Sequence, residues 1–150
     1  EMETTQIKGV DSTVRDTKAD LADGATLVIK EKIMTHGRQT AETNFTVELN
    51  GVDSSANVIS RSVAKGESKQ VFNSKIGGNN QCYGHTECDE ILMDNGHVKA
   101  VPSLEANNLD ASLVHEAAIG KIAGDQLIKL MTLGLTEAQE EEQIINGFMQ

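Results

Sequence analysis

Few residues of this 150-residue chain could do chemistry: it has two cysteines and four histidines, set among 23 acidic residues. Cys88 follows Glu87 and precedes Asp89 and Glu90. Neighbouring negative charge raises the pKa of a thiol, because it disfavours the thiolate. We therefore expect Cys88 to be a poor free nucleophile, which favours a metal ligand over thiol catalysis. A buried structural cysteine is the alternative, since free cysteines are commonly buried.

The second cysteine, Cys82, lies too far from Cys88 to share a metal ion with it in a regular strand. Six residues of continuous strand span about 20 Å, at about 3.3 Å per residue. Two sulfurs on one metal must come within about 4 Å of each other. Only a sharp bend at Gly84 would allow that. We interpret Cys82 as a core or rim residue, with a sulfur-carrying thiol as the other possibility.

The histidines offer further candidate ligands. His115 and Glu116 are adjacent in a predicted strand, so their side chains should point to opposite faces. They can serve one site only if the strand kinks or if one of them faces a neighbouring subunit. His85 is a weaker candidate, because a structural histidine is the more common case. His36 and His97 lie beside glycines in turn-like contexts and are expected to be solvated.

The elements that must position these residues show a period of two from Leu27 to Ile119. Seven predicted strands are punctuated by Asn, Gly and Asp: 27–33, 43–49, 56–63, 69–76, 82–93, 97–105 and 111–117. Short, regularly spaced strands are typical of a sandwich, a barrel or a β-solenoid. Small and amide residues at the corners favour the solenoid. We therefore predict a mainly β protein whose β-helix core spans 27–119.

The two ends of the chain differ from this core. Residues 1–26 look polar and unpatterned, and the first residue is Glu and not Met, which fits a piece of a longer protein. Residues 120–150 change to a helical period and predict a hairpin of two helices. The first begins near Asp125, and the second opens with a capping-box pattern at Thr136–Gln139. Their apolar faces should cover the end of the solenoid or a partner.

Composition excludes several classes of function. A formal net charge of −10 and a pI near 4.8 argue against binding to nucleic acid or an anionic membrane. No apolar run approaches the 18 or so residues of a membrane span. Two cysteines make no disulfide framework, so a reducing, cytoplasmic compartment is expected. The chain has no phosphate-binding loop of the GxxxxGK[ST] type and should not hydrolyse ATP itself.

Several short motifs occur together in the second half of the chain. They are Glu87–Met93 (ECDEILM), Val101–Glu105 (VPSLE), Val114–Ile122 (VHEAAIGKI), Asp125–Leu127 (DQL) and Asn146–Phe148 (NGF). In this order and spacing they resemble the SufB/SufD family of iron–sulfur cluster assembly proteins. The resemblance is dense over 68–149 and looser over 1–67. Lys129 and Thr132 stand where the family usually has an aromatic residue and an arginine.

The resemblance implies a non-enzymatic scaffold that holds an iron–sulfur cluster transiently. It points to Cys88, His115 and Glu116 as cluster-binding residues, with Cys88 and His115 as metal ligands and Cys82 and His85 as weaker candidates. The site would form between two β-solenoids, either in a homodimer or with a SufB/SufD paralogue. An ABC-type ATPase, SufC, would dock on the helical hairpin, and a cysteine desulfurase would supply sulfur indirectly. The residues expected to contact the ATPase are Leu127, Leu130 and Met131.

Two other functions are compatible with the sequence. A cluster-free structural subunit of the same complex, of the SufD kind, would bind the ATPase alone. A polysaccharide-active β-helix protein is a more distant alternative. Such proteins usually offer aromatic platforms to sugars, and this chain has one tyrosine, three phenylalanines and no tryptophan.

Overall fold

A computed structural model describes residues 1–7, 9–122 and 134–150 as a parallel β-solenoid followed by a helix. The strands predicted between residues 27 and 117 are all present, and the β-solenoid is confirmed. The elements are β1 (Met2–Gln6), β2 (Ser12–Leu21), β3 (Thr26–Thr35), β4 (Thr40–Leu49), β5 (Ser54–Ala64), β6 (Lys69–Gly78), β7 (Cys82–Leu92), β8 (His97–Ala106), β9 (Ala111–Lys121) and α1 (Glu137–Phe148).

The strands form two parallel sheets that face each other across the interior. The odd sheet has the order β1-β3-β5-β7-β9, and the even sheet has the order β2-β4-β6-β8. Residues paired across neighbouring strands are 27 to 29 positions apart, as in the series Ile29, Val58, Thr86 and His115. Because the register holds along the solenoid, residues one coil apart stack in columns. These columns determine which candidate residues can meet.

The solenoid begins earlier than the sequence pattern predicted. Strands β1 and β2 lie inside the segment 1–26, which looked unpatterned. In β2 the half-buried inward positions include Thr13, Arg15 and Thr17, while Val14 is 65% exposed on the outside. The usual alternation of apolar-in and polar-out is therefore absent from most of this strand and begins only at Ala19 and Leu21. Pairing with β4 runs along the whole of β2, while only its last residues join the apolar core.

Amide side chains stack at one corner of the solenoid. The Nδ2 of Asn79 donates to the Oδ1 of Asn50 at 2.8 Å, and the Nδ2 of Asn107 donates to the Oδ1 of Asn79 at 2.8 Å. The neighbouring Gly51 lies so close to the previous coil that a Cβ there would be 2.0 Å from backbone atoms. The expectation that small and amide residues form the corners is confirmed.

The interior contains two apolar clusters and one polar region. The first cluster comprises Leu21, Val47, Leu49, Ala56, Ile76 and Cys82, and the second comprises Ile29, Phe45, Val58, Phe72 and Cys88. Gly84 lies in the continuous strand β7, where a Cβ would be 2.8 Å from Leu113 Cδ2. Gly84 thus makes room for neighbouring side chains and does not bend the chain. The two cysteines occupy separate clusters and cannot share a metal ion.

The helical end of the chain is described in part. The predicted capping box opens α1, because Thr136 caps the helix and the Gln139 side chain returns to the Thr136 backbone. Lys65 forms an ion pair with Glu141, which ties α1 to the sheet. The other predicted helix, with Leu127, Leu130 and Met131, lies outside the described residues. In the part of the chain that the structure describes, no helix is long and apolar enough to cross a bilayer.

Candidate functional site

Cys88 lies in the middle of β7 and points into the solenoid. Its side chain has no exposed surface, and its Sγ donates a hydrogen bond to the Oε1 of Glu90 at 2.9 Å. Glu90 is two residues further along the same face of the strand. The family resemblance implied a site between two β-solenoids, with Glu116 as its carboxylate. In the single chain the thiol is enclosed, and the carboxylate comes from its own strand.

Burial raises the pKa of the Cys88 thiol far above its ordinary value, and Glu90 raises it further. Asp89 and Glu31 act in the same direction through their charge. The predicted direction is confirmed, although burial is a larger cause than the flanking acids. The thiol is therefore protonated at neutral pH. A nearby cation, such as a metal ion, would be needed to stabilise the thiolate.

The interior around Glu90, the hydrogen-bond partner of Cys88, is polar. A cavity of about 10 Å³, room for roughly one water molecule, is lined by Glu31, Ser60, Ser62, Gln70 and Glu90 among others. The Oγ of Ser62 and the Oε2 of Glu90 are buried without a hydrogen-bond partner among the described residues. Unpaired buried oxygens are costly. The carboxylate that accepts from the thiol, Glu90, therefore lines a space with free donor and acceptor capacity.

Glu31 is the most confined acid of this region. Only 2% of it is exposed, its Oε2 lies 2.5 Å from the Nη1 of Arg15, and Ser60 donates to its Oε1 at 3.4 Å. Burial raises the pKa of Glu31, and the opposing effect of Arg15 does not cancel this rise. The folded protein thus holds the Glu31 proton more tightly than the unfolded chain does.

This pKa shift predicts a stability change with pH. The contribution of Glu31 to stability is complete below the ordinary carboxyl pKa near 4.5 and is lost as pH rises through the folded value. We expect Glu31→Gln to gain stability relative to wild type between pH 4.5 and pH 7.5, because the glutamine has no proton to lose. Urea unfolding at both pH values measures this gain. Glu67→Gln is the control, because it removes an exposed acid that also pairs with an arginine. An equal gain in this variant would contradict the assignment of the pH dependence to buried Glu31.

His115 shares the interior with Cys88. It is half-buried and points inward from β9, where its Nδ1 contacts the Oγ1 of Thr86. Burial, with a smaller contribution from His85, lowers the pKa of His115, so its imidazole is neutral at neutral pH. The register pairs Cys88 with Ala117, two residues beyond His115. Cys88 and His115 are therefore diagonal neighbours on the inner face of the sheet, with Cα atoms about 8 Å apart.

Glu116 points to the opposite side of β9, as its position next to His115 predicted. Its side chain is 67% exposed, and its Oε2 lies 3.3 Å from the Nε2 of His85. Glu87 joins them, so that one ligand atom from each of the three residues lies within 4.8 Å of the others. Burial raises the pKa of Glu87, and Asp89 raises it further. Within one subunit, Glu116 cannot reach the interior site of Cys88.

The remaining sequence candidates are placed as follows. Cys82 is 7% exposed within the first apolar cluster, beside Ile76 and Leu49, which fits a core role. The predicted ATPase contacts lie outside the described residues. Sequence reasoning gave no site role to Glu90 and Glu87. Both lie two positions from a candidate residue, Cys88 or His85, on the same strand face, and this spacing could have identified them.

Comparisons with known proteins point to one family. The sequence model of the family described as "SUF system FeS cluster assembly, SufBD core domain" matches residues 1–148. An "iron-sulfur cluster assembly SufBD family protein" of Pyrococcus horikoshii is 36% identical over 132 residues, which cover 87% of this chain and 40% of the relative.

Two further archaeal proteins of the same description match this chain with similar identity and coverage. The one from Archaeoglobus fulgidus is 33% identical over 127 residues, covering 84% of this chain and 34% of the relative. The one from Methanocaldococcus jannaschii is 34% identical over 125 residues, covering 83% and 37%. The chain therefore spans two fifths or less of the length of these three relatives.

Proposed function

Because this chain belongs to the SufBD core family of iron–sulfur cluster assembly proteins, we propose that it acts as a scaffold on which a cluster is built and then transferred. The observation that carries the proposal is the pair formed by Cys88 and His115. A thiol and a neutral imidazole share the inner face of adjacent strands as diagonal neighbours in the register. Iron–sulfur clusters are held by thiolates, and histidine can replace cysteine on an iron.

A scaffold must also release what it binds, and the surroundings of Cys88 suit that task. The thiol proton is held firmly by burial and by the contact with Glu90. Loss of the metal would let the proton return, so the empty state is stable. One thiolate supplemented by weaker nitrogen or oxygen ligands gives a less permanent site than four thiolates. A reducing, cytoplasmic compartment would keep both free cysteines available.

We place the partner subunit at the C-terminal edge of the two sheets. Strands β8 and β9 each have one strand neighbour among the described residues, which leaves backbone donors and acceptors for a further strand. Val101, Leu104, Val114 and Ile119 are exposed on these strands. A second copy, or a SufB/SufD paralogue, docked here would lie close to His115 and could supply further ligands. Light scattering of the chain in the absence of a paralogue tests the homodimer. A monomer in this measurement would exclude it.

ATP-driven steps would come from a separate SufC-like ATPase. The chain has no phosphate-binding loop, and the resemblance implies a docking site on its helical end, where Leu127, Leu130 and Met131 are the proposed contacts. Sulfur would arrive indirectly from a cysteine desulfurase. Membership of the SufBD family leaves the polysaccharide-active alternative without support.

Reconstitution of the cluster tests the scaffold role. After anaerobic incubation with ferrous iron and sulfide, we expect brown colour and visible absorption, because Cys88 and His115 bind iron. Cys88→Ala should lose this absorption, and His115→Ala should reduce it at least several-fold. Cys82→Ala is the matched control, since Cys82 is also buried but lies in the other apolar cluster. A spectrum unchanged by Cys88→Ala would exclude Cys88 from the site.

One observation favours a second function, that of a cluster-free structural subunit. Cys88 has no exposed surface in the single chain, so a partner or an opening of the last coil must give iron access to it. If no opening occurs, the chain would serve the complex only by binding the ATPase. Capture by the immobilised ATPase together with iron analysis separates the two functions, because only the scaffold would carry iron into the captured complex.

A further inference from the structure

Three metal-ligating side chains converge on the outer face of the odd sheet, away from Cys88. His85 and Glu87 are two positions apart on β7, and Glu116 lies directly beside Glu87 on β9. Their ligand atoms lie within 4.8 Å of one another. Ligands of one metal ion with bonds of 2.0–2.2 Å are at most about 4.4 Å apart. A shift of a few tenths of an ångström would therefore bring all three onto one ion.

The orientation of His85 gives a second reason to expect a cation here. Its Nδ1 lies 2.9 Å from the Oδ1 of Asn57 on β5. A carbonyl oxygen can only accept, so Nδ1 carries the proton, and in the neutral ring Nε2 presents a lone pair. That lone pair faces the Oε2 of Glu116 at 3.3 Å. Two acceptors at this distance repel each other unless a proton or a metal ion lies between them.

The contact between His85 and Asn57 is also the arrangement that metal-bound histidines commonly have. A ligating imidazole usually donates its other N–H to a carbonyl or carboxylate, which fixes the ring and strengthens the ligand. The surrounding charge favours a divalent ion, because Glu87, Asp89 and Glu116 outnumber the nearby Arg61. The side chain of His85 is 17% exposed and that of Glu116 is 67% exposed. An ion could reach this site from solvent while the fold stays closed.

We propose that His85, Glu87 and Glu116 form a mononuclear binding site for a divalent first-row transition-metal ion, such as Fe²⁺ or Co²⁺. One imidazole and two carboxylates suit such ions better than Mg²⁺ or Ca²⁺, which prefer oxygen ligands alone. Water would complete the coordination. The site lies on the other face of the sheet from Cys88 and does not require the proposed scaffold role.

Titration of the purified, metal-free chain with Co²⁺ tests this proposal. We expect one Co²⁺ per chain by calorimetry, with a visible d–d spectrum and no sulfur-to-metal band. His85→Asn and Glu116→Gln should each weaken binding at least tenfold. His97→Asn removes an exposed histidine of the even sheet and should leave binding unchanged. Cys88→Ala should also bind Co²⁺ normally, which separates this site from the thiol.

A second measurement guards against variants that fail to fold. Substoichiometric Mn²⁺ added to the wild-type chain should broaden the imidazole NMR signals of His85 well before those of His36. The proposal is overturned if wild type binds no Co²⁺, which would leave the contact between His85 and Glu116 as a pair of side chains without a metal ion. It is equally overturned if Cys88→Ala abolishes binding, or if a folded His85→Asn binds as tightly as wild type.

Discussion

Replacing Gly51 with alanine is expected to lower the free energy of unfolding by roughly 3 kcal/mol. A Cβ at this corner would lie 2.0 Å from the backbone carbon of Ala22 and 2.0 Å from the backbone nitrogen of Asp23. Backbone atoms cannot rotate away as a flexible side chain can. The N–H of Gly51 also donates to the carbonyl of Leu21 at 2.9 Å, so relief of the clash would stretch this bond.

Urea unfolding of Gly51→Ala and of the control Gly120→Ala measures this effect. Gly120 lies near the end of β9, and a Cβ there would meet no atom within 4 Å. The control should therefore keep its stability within about 0.5 kcal/mol of wild type. Equal losses in the two variants would show that the coils do not approach each other closely at Gly51.

Alkylation of Cys88 should be at least 100-fold slower in the folded protein than in the urea-unfolded chain. Two causes act together, because the thiol has no exposed surface and because burial and Glu90 raise its pKa. Only the thiolate reacts with iodoacetamide at a useful rate. Pulse labelling at pH 8, followed by peptide mass spectrometry, gives the two rates separately for Cys88 and Cys82.

Glu90→Gln separates the two causes of this protection. Removing the carboxylate should speed labelling of Cys88, because the hydrogen bond and the negative charge that oppose the thiolate are lost. Labelling should still remain slower than in the unfolded chain, because the side chain stays enclosed. If folded wild-type protein reacted at the unfolded rate, the thiol would lie at an open surface and the interior position described above would be wrong.

The sequence predicted the strands of the later coils well, for identifiable physical reasons. Alternation of apolar and polar residues, as in Thr43–Leu49, together with the turn at Asn50 and Gly51, marks strands and corners. The capping box at Thr136–Gln139 was equally clear. The first coil escaped prediction because Arg15 and its neighbours place polar side chains inward. Local hydrophobicity therefore carried little signal over most of β2, where pairing with the next coil holds the strand in place.

The site was predicted in part. Because His115 and Glu116 are adjacent in a strand, their placement on opposite faces was predicted correctly. The acidic residues around Cys88 also correctly indicated a raised thiol pKa. The contact between His85 and Glu116 could not be foreseen, because it depends on a 29-residue coil length that aligns β9 with β7. The full enclosure of Cys88 also depends on stacking across coils. Only the register of the whole solenoid shows which residues meet.

The opposite orientations of His115 and Glu116 make this end of the molecule sensitive to a single insertion or deletion. Successive residues of a strand alternate in direction, so a slip of one position turns every side chain to the other side. Removing one residue from the corner 107–110 would turn the β9 imidazole out to water and drive a carboxylate into the enclosed space beside the thiol. The inward and outward side chains of β9 would then be exchanged, although the composition of the chain would be almost unchanged.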